Sequence, residues 1–171
     1  TTLNNKHQLQ YGANVIYYTF RPGATQPVPE SQIQLPYIEL EKKYAIEPAA
    51  YISDEWKVNR RFSMQSGLRY NGFANLGKSK VYTYANEENR SGDNVTDTLD
   101  FRSGELVKYY HGLEPRLAFK YTIDSSSSFK GGYNRMRQNI HLITNTSAAT
   151  PFDIYLPSDY HFKPQIADQV S

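Results

Sequence analysis

The sequence predicts an all-β fold: antiparallel, up-and-down transmembrane β-barrel strands, forming a partial barrel of about five to six strands. Three observations predict it. Apolar and polar residues alternate with a two-residue period in five separate runs of about ten residues. The connections between those runs alternate long, short, long, short, long. Core-forming material is thin, at 39% hydrophobic residues, where a soluble globule carries roughly 45–50%.

The first run sets Leu9, Tyr11, Ala13, Val15 and Tyr17 against Gln8, Gln10, Gly12 and Asn14. The second sets Tyr44, Ile46, Pro48, Ala50 and Ile52 against Lys43, Ala45, Glu47, Ala49, Tyr51 and Ser53. In the third, Phe62, Met64, Ser66, Leu68 and Tyr70 oppose Ser63, Gln65, Gly67, Arg69 and Asn71. In the fourth, Leu113, Pro115, Leu117, Phe119, Tyr121 and Ile123 oppose Gly112, Glu114, Arg116, Ala118, Lys120 and Thr122. The fifth, Phe129, Gly131 and Tyr133 against Lys130, Gly132 and Asn134, loses its alternation near Arg135-Met136. Successive side chains of a strand point to opposite faces, so each run has one greasy and one polar side. Pro48 and Pro115 sit inside apolar runs and cannot donate to a ladder, so a bulge or a lost hydrogen bond is expected at each. Both follow an apolar residue and a Glu (Ile46-Glu47-Pro48, Leu113-Glu114-Pro115), so the two sites read as equivalents.

The long connections are Arg21 to Glu41, Phe73 to Tyr109 and Ile140 to Gln165; the short ones lie near Asp54 to Arg61 and at Asp124 to Ser128. Successive antiparallel strands place alternate connections at opposite ends, so one end carries every short turn. Outer-membrane barrels have this asymmetry, with short periplasmic turns and long extracellular loops. No stretch of 18 apolar residues exists to form a membrane-crossing helix, and barrel strands need none. On this fold Lys43, Glu47, Arg69, Glu114, Arg116 and Lys120, with Lys130, face an aqueous lumen. Tyr11, Tyr17, Tyr44, Tyr70, Tyr121 and Phe129 supply aromatic girdles on the lipid face. The alternative is a soluble or surface-attached β-sandwich that binds glycans. It would bring Leu9, Val15, Ile46, Leu68, Leu117 and Phe119 face to face in a closed core, whereas a barrel wall turns them outward.

Net charge is +2 and the basic residues are scattered, which gives no reason to expect nucleic acid. With no cysteine there is no disulfide framework, thiolate metal site or Cys nucleophile. The four histidines form no HExxH pair, and no G-x-S-x-G occurs. Catalytic residues, a metal site and a cofactor are therefore not expected, and the chain reads as a non-enzyme. Glu47 and Glu114 raise the paired carboxylates of a glycosidase, but Arg69 and Arg116 nearby make lumenal ion pairs the simpler reading. Candidate ligand-binding residues are the loop aromatics Tyr82, Tyr84, Phe101, Phe152, Tyr155 and Tyr160, since such rings give large contact area at low entropic cost. Packing of loop on loop would explain them equally.

Several stretches resemble the barrel of TonB-dependent outer-membrane receptors of the Bacteroidetes type. They are Glu47 to Trp56 (EPAAYISDEW), Ser66 to Asn71 (SGLRYN), Tyr109 to Lys120 (YYHGLEPRLAFK), Gly132 to Leu142 (GYNRMRQNIHL) and Lys163 to Gln169 (KPQIADQ). The resemblance runs from about Leu9 to the C-terminus and is weakest across the long loops. It implies a bacterial outer-membrane protein with a barrel of about 22 strands, an N-terminal plug and a TonB box. Its function would be import of siderophore, cobalamin, haem or oligosaccharide, driven by the TonB energy-transducing complex. Implied partners are that complex through the plug, outer-membrane lipid, the imported ligand and a surface lipoprotein. Residues 1–171 are then expected to be a single barrel segment, a fragment lacking plug and TonB box, because single-chain barrels start at about 8 strands.

Overall fold

The computed structural model describes residues 4–25, 37–86, 88, 90–144 and 153–171. In chain order the strands are β1 (His7–Phe20), β2 (Ala24–Thr25), β3 (Ile38–Glu39), β4 (Lys43–Lys57), β5 (Phe62–Leu76) and β6 (Ser79–Tyr84). They continue with β7 (Val95–Phe101), β8 (Leu106–Thr122), β9 (Ser128–Gln138), β10 (Ile140–Thr144), β11 (Asp153–Pro157) and β12 (Gln165–Val170). Six long strands make one sheet in the order β1-β4-β5-β8-β9-β12, and every neighbouring pair is antiparallel. Among the described residues β1 and β12 each pair on one side only. The up-and-down, all-β expectation therefore holds.

The connections have the expected alternation in length, with one addition. Each long connection carries a two-stranded ladder of its own: β2 with β3, β6 with β7 and β10 with β11. The short turns share one device. Asn59 Oδ1 accepts the backbone N–H groups of Arg61 and Phe62, both at 2.8 Å. Asp124 Oδ1 accepts those of Ser126 and Ser127, also both at 2.8 Å. A side chain that mimics a backbone acceptor closes each turn. The sixth strand, β12, completes the expected five to six; its alternation is weak in the sequence because its apolar side Ile166-x-Asp168-x-Val170 is interrupted by a carboxylate. Asp168 is neutralised across the ladder by Arg135, at 2.7 and 2.9 Å.

Register assigns the faces. Leu9 stands opposite Asp54, Tyr11 opposite Ile52, Ile52 opposite Leu68, and Leu68 opposite Pro115. Leu9, Val15, Ile46, Leu68, Leu117 and Phe119 thus share one face. Val15 is 69% exposed, Leu68 43% and Leu117 44%, so among the described residues no second sheet covers this face, against the sandwich alternative. Aromatic side chains mark both ends of it. Near the long loops lie Tyr17 against Tyr44 (ring centres 6.4 Å) and Tyr109 against His111 (5.6 Å), with the Tyr70 and Tyr109 hydroxyls 3.0 Å apart. Near the short turns lie His7 stacked on Trp56 (5.5 Å) and Phe119 against Phe129 (5.8 Å). Tyr11 departs from the girdle expectation: it sits on the Ile52–Leu68 row, between the two belts. From Tyr109 to Phe119 the strand runs ~34 Å at ~3.4 Å per residue. A tilt of ~40° turns that into ~26 Å, matching the ~25 Å apolar band of an outer-membrane barrel.

Both prolines interrupt a ladder. Between β4 and β5 the pairing runs from Tyr44–Leu76 to Ile46–Ala74 and resumes at Ala49–Asn71 in the same register, skipping Pro48. Between β8 and β9 it runs from Thr122–Ser128 only as far as Arg116–Asn134, stopping short of Pro115. Above that point the Glu114 carboxylate accepts the Arg137 N–H at 3.1 Å in place of a backbone carbonyl. The outer part of β9 then crosses toward the polar face of β5, where Asn139 Nδ2 donates to Asn71 Oδ1 at 3.0 Å. The third long loop follows it inward. Phe73, Pro157 and Ser158 are the largest fully buried residues. The core of the described chain is therefore the long-loop end of the polar face, sealed by that loop.

Candidate functional site

The polar face divides into two halves. At the long-loop end the strands present Tyr18, Ala45, Ala49, Asn71, Phe73, Asn75 and Tyr110, all buried or half-buried. Residues 157–161 lie over them. Ser158 N–H donates to the Asn139 carbonyl at 2.7 Å, and Asn75 Nδ2 donates to the Ser158 carbonyl at 3.3 Å. Tyr110 O–H donates to the Asp159 carbonyl at 2.8 Å, and Lys43 Nζ stands 3.5 Å from Asp159 Oδ2. His141 Nε2 is hydrogen bonded to Ser158 Oγ at 2.9 Å. Buried polar groups must be paired to be tolerated, and these amide and backbone groups pair with one another.

All six sequence-named charges fall on this face. Arg69 and Glu114 form the anticipated ion pair, Nε to Oε2 at 3.6 Å, with Glu114 only 4% exposed. Glu47 differs from the expectation: its partners are neutral. Tyr18 O–H donates to Oε2 at 3.0 Å and Asn71 Nδ2 to Oε1 at 2.7 Å. With β5 between β4 and β8, the two carboxylates serve different partners. Lys43 is drawn to the third loop. Arg116 and Lys120 lie in the other half, toward the short turns, where Lys120 stands opposite Lys130. Two cations directly opposed repel unless water or a ligand screens them.

This second half is open. A depression of about 550 Å³ is lined by residues from all six long strands, among them Gln10, Tyr51, Arg69, Arg116, Asn134 and Gln169. A single hollow reaching across six neighbouring strands on this side makes it the concave side of the sheet.

Of the loop aromatics, the structure gathers the rings of Tyr84 and Tyr160 and the backbone of Tyr82. The His161 ring meets Tyr84 at 5.7 Å and Tyr160 edge-on at 5.3 Å, and its Nε2 donates to the Tyr82 carbonyl at 2.9 Å. Lys108 Nζ lies 5.1 Å from the Tyr160 ring centre, a cation–π contact. The second and third loops are thereby joined. Phe101 packs beside Gly77 at the root of the β6–β7 hairpin, and Tyr155 lies exposed on β11 opposite Leu142. Phe152 lies outside the described residues.

Sequence reasoning missed Tyr18, Phe73, Asn75, Asn139, Ser158 and Asp159. A signal was present. On the polar side of the runs, the long-loop end carries Ile16, Tyr18, Phe20, Ala45, Ala49 and Phe73. There both sides of the strands are apolar, the pattern of strands covered twice.

No curated protein matches this chain significantly, and no solved structure does. A family model described as outer membrane beta barrel domain matches residues 27–165, which is most of the chain. Two-faced strands, aromatic belts a membrane apart and alternating turn lengths agree with it: the chain belongs to the outer membrane beta barrel domain family, and its place is the outer membrane.

Proposed function

We propose that this chain forms part of the wall and the external loops of a TonB-dependent import receptor. The observation that carries this reading is the division of the polar face. Its outer end is closed by the third loop and crowned by the Tyr82–Tyr84–Tyr160–His161 assembly. Its inner end is open and cationic. A passive pore needs no such closure, whereas a receptor needs a capture surface outside and a guarded passage beneath it. The sequence likeness to Bacteroidetes receptors supports the same reading. Siderophore, cobalamin, haem and oligosaccharide are the candidate cargoes. The TonB complex, acting through a plug, supplies energy, a surface lipoprotein is a candidate partner, and the wall performs no catalysis.

The test is uptake by cells carrying or lacking the full-length gene, using radiolabelled members of each cargo class. The receptor reading expects loss of one class on deletion, and an equal loss when a protonophore collapses the proton-motive force. Uptake that persists in the deletion strain, or ignores the protonophore, would count against it.

A further inference from the structure

The inner half of the polar face holds a feature that import in general does not require. Its depression is lined by two guanidinium groups, Arg69 and Arg116, and by no carboxylate side chain. Gly67 is the cross-strand partner of Arg116, two ladder positions from the Arg69–Glu114 pair and next to it on the same face. The two arginines are thus diagonal neighbours, about 7–8 Å apart at their backbones. Glu114 engages Arg69 from Oε2 to Nε at 3.6 Å. Arg116 faces only Gly67 and Asn134 across its two ladders. Gly67 places no side chain opposite it, and Arg116 is exposed.

Two further features define what would fit. Gln10, Gln65 and Gln169, all exposed, line the hollow and turn amide groups toward it that can pair with hydroxyls. The Tyr51 ring lies against Gly12, where a Cβ would come within 2.8–2.9 Å of its Oη, Cε1 and Cζ atoms. One side of the ring is therefore held by backbone, while 44% of the residue stays exposed.

We propose that this hollow is a binding site for a polyhydroxylated anion. Its carboxylate or phosphate lies on the Arg69–Arg116 pair, its hydroxyls meet the Gln10, Gln65 and Gln169 amides, and its carbon skeleton rests on Tyr51. Guanidinium groups match both anions bidentately, so the shared chemistry is one such group with hydroxyls close by. The site rests on the reading that this face lines a water-filled bore, and the experiment separates the two claims.

The full-length receptor, folded in detergent, is titrated calorimetrically with glucuronate, glucose 6-phosphate, glucose and acetate. Alongside, Arg116→Cys in vesicles is exposed to a charged thiol reagent. The site expects labelling of the cysteine and binding of glucuronate or glucose 6-phosphate about tenfold or more above glucose and acetate. Preference between the first two identifies the anion. Arg116→Gln and Arg69→Gln each lower that affinity about tenfold to a hundredfold, and Arg116→Lys falls between. Labelling without binding of either anion overturns the site and leaves the bore standing. Absence of labelling removes the bore and the site together. Binding that both glutamine variants leave unchanged places the ligand elsewhere and overturns the site, as does acetate binding as tightly as glucuronate. An unaltered circular-dichroism spectrum shows that each variant is folded.

Discussion

The two halves of the polar face are built from the same strands with the same alternation, yet one is a core and the other is an open hollow. At the long-loop end Phe73 is fully buried and Glu114 nearly so, and amides pair with the backbone of the third loop. At the short-turn end Gln65, Arg116, Ala118 and Lys120 are exposed around an open hollow. The difference comes from what lies above each half. An alternating strand only offers one side to something; whether water or protein takes it depends on chain from elsewhere in the sequence. The third loop occupies the outer half because β9 leaves its ladder near Pro115, where a missing N–H lets the strand turn inward.

The sharpest way to break this contrast is at Phe73. Phe73→Ala should cost about 3–5 kcal/mol in urea unfolding from lipid vesicles, the range for emptying a filled core site. Tyr51→Ala in the open half should cost about 1 kcal/mol or less. Equal costs would mean that the third loop forms no real core.

The next largest effect compares the two faces instead of the two halves. Leu68→Arg puts a charge into lipid and should cost about 2–4 kcal/mol near mid-membrane. Gln65→Arg, on the opposite face of the same strand, should change stability by no more than about 0.5 kcal/mol. If the two variants unfold alike, the assignment of faces is wrong.

A smaller effect tests the junction between the halves. Glu114→Ala removes the partner of Arg69 and the acceptor of the Arg137 N–H. The expected loss is about 1–3 kcal/mol, below the 3–5 kcal/mol of a fully buried pair because Arg69 still reaches water. Hydrogen exchange should rise in β9 above Asn134 and leave the Arg116–Thr122 ladder protected. Uniform exchange along β9 would show that Glu114 does not hold the crossing.

The smallest effect separates the two short turns. Hydrogen bonds from the backbone and side chain of Ser126, then from Ser127, hold the Asp124 carboxyl below the usual carboxylate range. A depressed folded-state pKa stabilises above the unfolded value and is lost as pH falls through the folded one. Acid should therefore loosen the β8–β9 turn, while the β4–β5 turn, built on the neutral Asn59, stays unchanged. Exchange of the Ser126 and Ser127 amides against pH, with Asp124→Asn as the control, measures it. A pH response of equal size at Arg61 and Phe62 would refute the assignment.

Much of this molecule was legible beforehand, because a period of two needs no distant information. Val15, Leu68 and Leu117 on one side and Arg69, Arg116 and Lys120 on the other were placed by parity alone. The turns at Asn59 and Asp124 were visible as short polar gaps. The two prolines announced broken ladders through chemistry local to one residue. Less legible were the ladders within the long loops and the strand β12, whose apolar side is interrupted by Asp168. The partner that makes Asp168 tolerable, Arg135, lies 33 residues earlier in the chain.

By itself, then, the sequence determined which side of the five alternating runs is greasy, where the short turns fall, and that these strands suit a membrane. Only the tertiary structure decided that Tyr18, Asn71, Asn75 and Ser158 share one buried network, that Glu47 is held by neutral groups, and that Arg69 and Arg116 flank a hollow. The physical reason is range. Alternation and turn chemistry act over a few neighbouring residues, whereas burial and pairing depend on which segments, dozens of residues apart, come to lie on the same patch of sheet.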